Sequence, residues 1–242
     1  MAASSRAHTV AAAAIAVSAL TACSVLRLPT HRDLASVAEQ KDALALSDAL
    51  EELIAAGRAT SRDRDFAFGK VRDMDADTAG TAFGHAAIIG RKVQDSGLRA
   101  AFLVGDVERY ARLSRDLDPN FREGAATRML GTLYVIAPAT FLKHGDSETG
   151  LELLEELTAA HPETPENHLR LAEAYIALND PEPAVPHLCF ALAHQAALRS
   201  DDRKLLTSLT GDAGRLNCSR QPAEAPHPDA GGTESTAPPA TR

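Results

Sequence analysis

PENHLRLAEAYIALND, residues 165–180, runs directly into PEPAVPHLCFALAHQA, residues 181–196, and these two segments decide the fold. Leu171, Ala172 and Tyr175 stand one and three apart, a spacing that gathers side chains on one face of a helix. Asn179-Asp180-Pro181 stops that helix and turns the chain. Ala184, Leu188 and Ala191 then recur at four and three on a second helix. Pro186 falls in the first turn of that helix, where a missing N–H costs little. The unit is an antiparallel helical hairpin, with small residues where the helices touch and larger apolar residues around them.

The preceding segment repeats the layout. Gly124 opens a helix carrying Leu130, Gly131 and Tyr134, in the same register as Leu171, Ala172 and Tyr175. Its partner carries Gly150, Leu154 and Leu157 and closes at His161-Pro162. The turn between them, within IAPATFLKHGDSE (136–148), is lengthened, and Asp146 or Ser147 suits the N-cap of the second helix. A third unit places Phe83, Gly84 and Ala87 on one helix and Val107, Ala111 and Ser114 on another, ending at Leu117-Asp118-Pro119. Upstream, 33–56 reads as one long amphipathic helix stopped by Gly57, with 62–74 as its antiparallel partner. Residues 205–209 read as a capping helix. The pattern resembles the tetratricopeptide repeat (TPR), and stacked repeats need roughly three units for stability. The expected fold is all-α, antiparallel helical hairpins stacked as a TPR-like superhelix.

Composition agrees. Aromatic residues are 4% of the 242 and Trp is absent, which leaves too few strand-favouring side chains for a large sheet. The net charge of −8, with no basic run interleaved with aromatics, argues against a nucleic-acid partner. Residues 33–217 are expected to form the helical domain. Residues 218–242, rich in Pro, Gly and Ala without apolar periodicity, are expected to be a disordered tail.

The N-terminus carries a different signal. MAASSRAHTVAAAAIAVSALTAC, residues 1–23, has a short polar start with Arg6 and an apolar run from Val10 to Leu20. That run covers about half of a ~30 Å hydrocarbon core, so it suits a signal peptide and not a spanning helix. Leu20-Thr21-Ala22-Cys23 resembles the bacterial lipobox, which implies cleavage after residue 22 and lipid attachment at Cys23. Long acyl chains, each buried CH₂ contributing about 0.8 kcal/mol, would then hold the chain on a membrane. Residues 23–32 would form the tether. Ser24 in place of Asp favours the periplasmic side of an outer membrane. Export permits disulfides. Cys189 and Cys218 are either free thiols or a bridge, and spacing leaves both open.

Two longer passages carry a closer resemblance. GLRAAFLVGDVERYARLSRDLDPNFREGAATRMLGTLYVIAP (97–138) and GDSETGLELLEELTAAHPETPENHLRLAEAYIALND (145–180) resemble the TPR lipoproteins associated with TRAP transporters, the T component. The matching positions are Leu117-Asp118-Pro119, Phe121, Gly124, Arg128, Leu130-Gly131, Tyr134 and Ala137-Pro138. They continue with Gly145-Asp146, Pro162, Glu166-Asn167 and Leu171-Ala172-Glu173. The resemblance implies a periplasm-facing lipoprotein that docks a solute-binding protein. It also implies an apolar cavity for a small hydrophobic ligand, and a capacity to form homo-oligomers.

Chemical motifs are sparse. Asp73, Asp75 and Asp77 alternate as in a calcium loop, but Thr78 and Gly84 stand where the loop needs Gly and Glu. His161, His168, His187 and His194 cluster in the last repeat without the converging set that zinc requires. No GxSxG, HExxH, P-loop or dinucleotide-binding glycine pattern is present. The expectation is a binding protein and not an enzyme, with no cofactor and no metal. Phe102-Leu103 and Phe141-Leu142 lie near the lengthened turns. These four, with Tyr134 and Tyr175, are the candidate contact residues for a partner or apolar ligand, set against simple packing between repeats. Two function classes follow: a docking module for a periplasmic transport protein, or an envelope scaffold or assembly factor using the concave face of the repeats.

Overall fold

A computed structural model describes residues 28–212 and Cys218. Cys23, the expected signal segment before it and the expected tail after Cys218 lie outside the described residues. Among the described residues the protein is all-helical, without strands. The helices are α1 (Arg32–Ala38), α2 (Ala43–Ala55), α3 (Ser61–Val71), α4 (Ala79–Ser96) and α5 (Val104–Leu117). They continue with α6 (Ala125–Ile136), α7 (Ser147–Ala160), α8 (Pro165–Ala177), α9 (Ala184–Ala193) and α10 (Ser200–Asp212). Helices α4 and α5, α6 and α7, and α8 and α9 pack as the three expected hairpins, stacked in a TPR-like array.

Small residues set how closely the helices approach. At the crossing of α6 and α7, a Cβ on Gly131 would lie 2.6 Å from Leu154 Cγ and 2.9 Å from the Gly150 carbonyl oxygen. A Cβ on Gly150 would lie 2.8 Å from the Gly131 oxygen. Gly84 plays its part elsewhere. Its Cβ would lie 2.3 Å from the Ala43 oxygen, so this glycine faces the start of α2, while Ala86 of α4 packs with Ala111 of the hairpin partner. In the last hairpin Ala172, Ala184 and Ala191 are buried around Leu188.

The single helix expected over 33–56 is two helices. Lys41 adopts φ of 55°, in the left-handed region, which ends α1. Asp42 then caps α2, its Oδ1 accepting from the N–H of Leu44 at 2.8 Å and of Ala45 at 3.1 Å. The apolar pattern gave no sign of the break, because Leu34 and Ala38 enter the same core as Ala43, Leu46 and Leu50. Gly57 does stop α2, with φ of 68°. The Arg58 N–H donates back to the Leu53 carbonyl and the Gly57 N–H to the Ile54 carbonyl. Helix α3 starts at a capping box in which the Thr60 side chain and Asp63 each accept from the other's backbone N–H.

The lengthened turns have their own structure. The first is a 3-10 segment over Gly97–Leu103, and the second holds a short 3-10 turn over Ala139–Phe141 before the Asp146 cap of α7. At the far end Cys189 of α9 is bonded to Cys218, so the two cysteines form the bridge that spacing left open. Helix α10 is longer than the expected cap, and it touches α2 as well as α8 and α9.

Candidate docking surface

The 3-10 segment between α4 and α5 puts adjacent side chains in opposite environments. Leu98 is 89% exposed and Phe102 75% exposed. Leu103 is buried with Ile89, Ala100 and Val107. The split is local geometry: a 3-10 helix has three residues per turn, so successive side chains diverge by a third of a turn. Phe102 therefore stands on an outward ridge while Leu103 anchors the segment below it.

Beside this ridge runs a groove of about 540 Å³ whose lining includes Phe102, Gly105, Arg109 and Arg112 on one side and Phe141, Lys143 and His144 on the other. Its far wall is the second lengthened turn, and Glu108 holds that wall. Glu108 is 1% exposed. Its carboxylate accepts from the His144 N–H at 2.8 Å, the Lys143 N–H at 2.9 Å and the Tyr134 hydroxyl at 3.1 Å. Burial, and Glu108 beside it, push the Tyr134 phenol above its ordinary value. Gly145 completes the clasp, since a Cβ there would lie 2.3 Å from the Tyr134 ring.

Of the six sequence candidates, Phe102 and Phe141 meet at this groove, with Leu103 beneath the ridge. Tyr134 is a buried support of the wall. Leu142 is half-buried against the cluster of Ala86, Ala111, Leu130 and Tyr134. Tyr175 lies in the last hairpin, where its hydroxyl donates to Glu155 and its ring stacks near His187. It does not reach the groove lining. Cys23 lies outside the described residues.

Leu98 and Glu108 were not among the candidates. Glu108 did carry a signal: it stands three residues before Ala111 and four after Val104, so a carboxylate sits on the packing face of α5. Leu98 carried none, because nothing in a lone leucine after Gly97 says which way it will face.

The histidines of the last hairpin form a stack. His168 Nδ1 lies 2.9 Å from His187 Nδ1, and His168 packs on Phe190, which packs on His194. Burial, then His168, hold His187 down to about 4. No group of three or more ligating side chains among the described residues is arranged for a metal ion. No helix among them is long and apolar enough to cross a membrane.

Part of the face built from the first helices of the hairpins is covered by α10. Arg91 of α4 donates to Glu51 of α2 at 2.6 Å and to Asp201 of α10 at 2.7 Å. Arg170 of α8 donates to Asp202 of α10 at 2.5 Å, and Ser200 Oγ donates to the Ala55 carbonyl at 2.6 Å.

Residues 141–188 match the tetratricopeptide repeat family model. That span takes in the second half of the lengthened turn, α7, α8 and the start of α9. No curated protein matches the chain. TPR repeats generally mediate interactions with other proteins, and the matched span supports an interaction or scaffold role in kind.

Proposed function

We propose that this protein is a lipid-anchored envelope protein that docks another protein through the ridge of Leu98 and Phe102. One observation carries the reading: a TPR-type body holds Phe102 75% exposed at the edge of a groove walled by Phe141, with Leu98, 89% exposed, earlier on the same 3-10 segment. A single exposed leucine needs no explanation. Phe102, with the groove walled by Phe141 alongside, offers a surface suited to a partner's apolar side chains. The groove rim carries Arg109, Arg112 and Lys143 among Asp106 and Asp116, which gives the polar border of a reversible interface. Cys23 would supply the anchor at the membrane face of the periplasm, with the outer membrane as its site. The resemblance of 97–138 and 145–180 to TRAP-associated lipoproteins names the partner: the solute-binding subunit of such a transporter. The role is binding and not catalysis.

The test uses the full-length lipoprotein extracted in detergent and cross-linked to its neighbours. A solute-binding protein should be enriched, and Leu98→Ser with Phe102→Ser should remove it while the helical content stays unchanged. Recovery of envelope-assembly proteins alone would replace the transport reading with a scaffold. Cys23→Ala should release the protein from membranes. Undiminished membrane fractionation of that variant would overturn the anchor.

A further inference from the structure

Leu28 is the first described residue, and the chain that follows it is held where three helix ends meet. The Thr30 N–H donates to Asp63 Oδ1 at 2.7 Å, and the Thr30 and Thr60 hydroxyls lie 2.9 Å apart. Ser61 Oγ donates to Asp95 Oδ1 at 2.8 Å, and Arg64 lies 3.8 Å from the same carboxylate. These contacts gather residues 28–33, 57–65 and 92–99 at one edge of the array, formed by the start of α1, the start of α3 and the end of α4.

The charge of this edge runs against that of the chain. The whole sequence carries a net −8, yet the three segments hold six Lys and Arg against four Asp. Three of those carboxylates are occupied. Asp63 is buried and accepts from the amides of Thr30 and His31, Asp65 pairs with Lys92, and Asp95 pairs with Arg64. Arg32, Arg58, Arg62 and Arg99 are exposed and make no ion pair among the described residues. Beside these four guanidiniums, Asp33 and, near the end of α2, Glu52 are the exposed carboxylates. Glu51 and Asp201, where α2 ends and α10 begins, are taken up by Arg91 and Arg199. The imbalance continues upstream: no Asp or Glu precedes Asp33 in the sequence, and Arg27 adds a cation. Among these cations Leu28 stands 71% exposed. Leu98 marks where this edge ends and the docking ridge begins. Guanidiniums around an exposed apolar side chain are what an interfacial surface presents to anionic lipid.

We infer that this edge is a membrane-contacting face that seats the body on anionic phospholipid. With the lipid at Cys23 proposed above as its premise, the face adds orientation to the anchor. Five residues separate Cys23 from Leu28, so at about 3.6 Å per residue Leu28 lies within about 18 Å of residue 23. The start of α4, 18 residues from its end at this edge, stands about 27 Å farther along the helix. The anchor therefore delivers this edge to the bilayer surface first. There the guanidiniums meet phosphate oxygens in the planar geometry that suits them, and Leu28 enters the apolar boundary. Each arginine at such a surface favours the seated state about fivefold.

The sequence has no Trp, so Leu28→Trp places a single reporter at an exposed position. The full-length lipoprotein carrying it is reconstituted into vesicles of phosphatidylcholine, alone or with about 30% phosphatidylglycerol, containing brominated acyl chains as quencher. In the anionic vesicles the emission should shift to the blue and be quenched. In the neutral vesicles it should remain that of a Trp in water. About 0.5 M NaCl should reverse the change, because charges are then screened beyond roughly 4 Å. Arg58→Gln, Arg62→Gln and Arg99→Gln together should lower the seated-to-free ratio about a hundredfold in the anionic vesicles. Leu117→Trp, at the far end of α5, should stay unquenched in both. Equal quenching in neutral and anionic vesicles, quenching that survives the three substitutions, or no quenching in either would each overturn the assignment. Mass spectrometry reads the anchor separately. If Cys23 carries no lipid, the anchoring falls, and the same reporter with vesicles added to the free protein decides the face: a salt-sensitive shift with anionic vesicles alone supports it, and no shift overturns it.

Discussion

Glu108→Ala should loosen the groove wall more than it harms the helical array. The substitution removes the acceptor for three donors at once: the amides of Lys143 and His144 and the Tyr134 hydroxyl. The three do not lose equally. Lys143 and His144 are exposed residues, so water can reach their amides once the carboxylate is gone. Tyr134 is 3% exposed, and its hydroxyl would keep only Arg112, itself a donor, so the phenolic proton would be left buried without an acceptor. An orphaned buried donor costs about 1–3 kcal/mol, and the two rehydrated amides add roughly another 1 kcal/mol together. The sum is about 2–4 kcal/mol, a fall in melting temperature of roughly 5–15 °C for a domain of this size. Glu108→Gln keeps one accepting oxygen and should cost about half as much. Thermal unfolding by circular dichroism measures the total. Hydrogen exchange localises it, with faster exchange expected at the Lys143 and His144 amides and little change at the α8–α9 hairpin. A variant within about 1 kcal/mol of wild type, or unchanged exchange at those two amides, would refute the assignment of Glu108 as the clasp.

Four further outcomes are expected. Gly131→Ala forces a Cβ to 2.6 Å from Leu154 Cγ and should destabilise by about 1–3 kcal/mol. Gly90→Ala, in α4 with nothing within 4 Å of its Cβ, should stabilise by about 0.5–1 kcal/mol. Thermal melts of the pair separate crowding from propensity. Cys218→Ser removes a bridge between residues 29 apart and should lower stability by about 3.5 kcal/mol on the chain-entropy account, measured by denaturant unfolding. The His187 ring sits near 4 when folded against an ordinary 6.5, so the unfolded chain takes up the proton first as pH falls. Its stabilising share is whole above about 6.5 and is lost on the way down to about 4. His187→Gln should flatten the fall in melting temperature over that window.

Local periodicity made the hairpins legible. Leu171, Ala172 and Tyr175, then Ala184, Leu188 and Ala191, lie within one segment and report directly on which faces are buried. The break at Lys41 was hidden because the apolar pattern survives it, and only the short Lys41-Asp42 signal marks the new helix start. At the candidate site the sequence located the lengthened turns but not their orientation. Phe102 and Leu103 are neighbours with the same hydrophobic character, and the 3-10 geometry alone sends one outward and the other into the core. Tyr134 and Leu142 became supports because Glu108 draws the turn inward, a contact spanning residues 26 to 36 apart in the chain. The reach of α10 to α2 had no local signature. Its key ion pair joins residues 110 apart, and no helix pattern encodes a contact of that range.

That long-range contact bears on which face is free to meet a partner. TPR arrays often offer the face lined by the first helices of their hairpins, and the scaffold reading drew on it. Here α10 occupies part of that face. A peptide entering there would have to separate Arg91 from Asp201 and Arg170 from Asp202, and free Ser200 from the Ala55 carbonyl. It would also pull against the chain tied to α9 by the Cys189–Cys218 bridge. Removing one partner from a part-buried ion pair leaves the other poorly solvated, so each separation opposes entry. The ridge of Leu98 and Phe102 sets no such requirement, because its apolar surface already faces water and covering it is favourable at once.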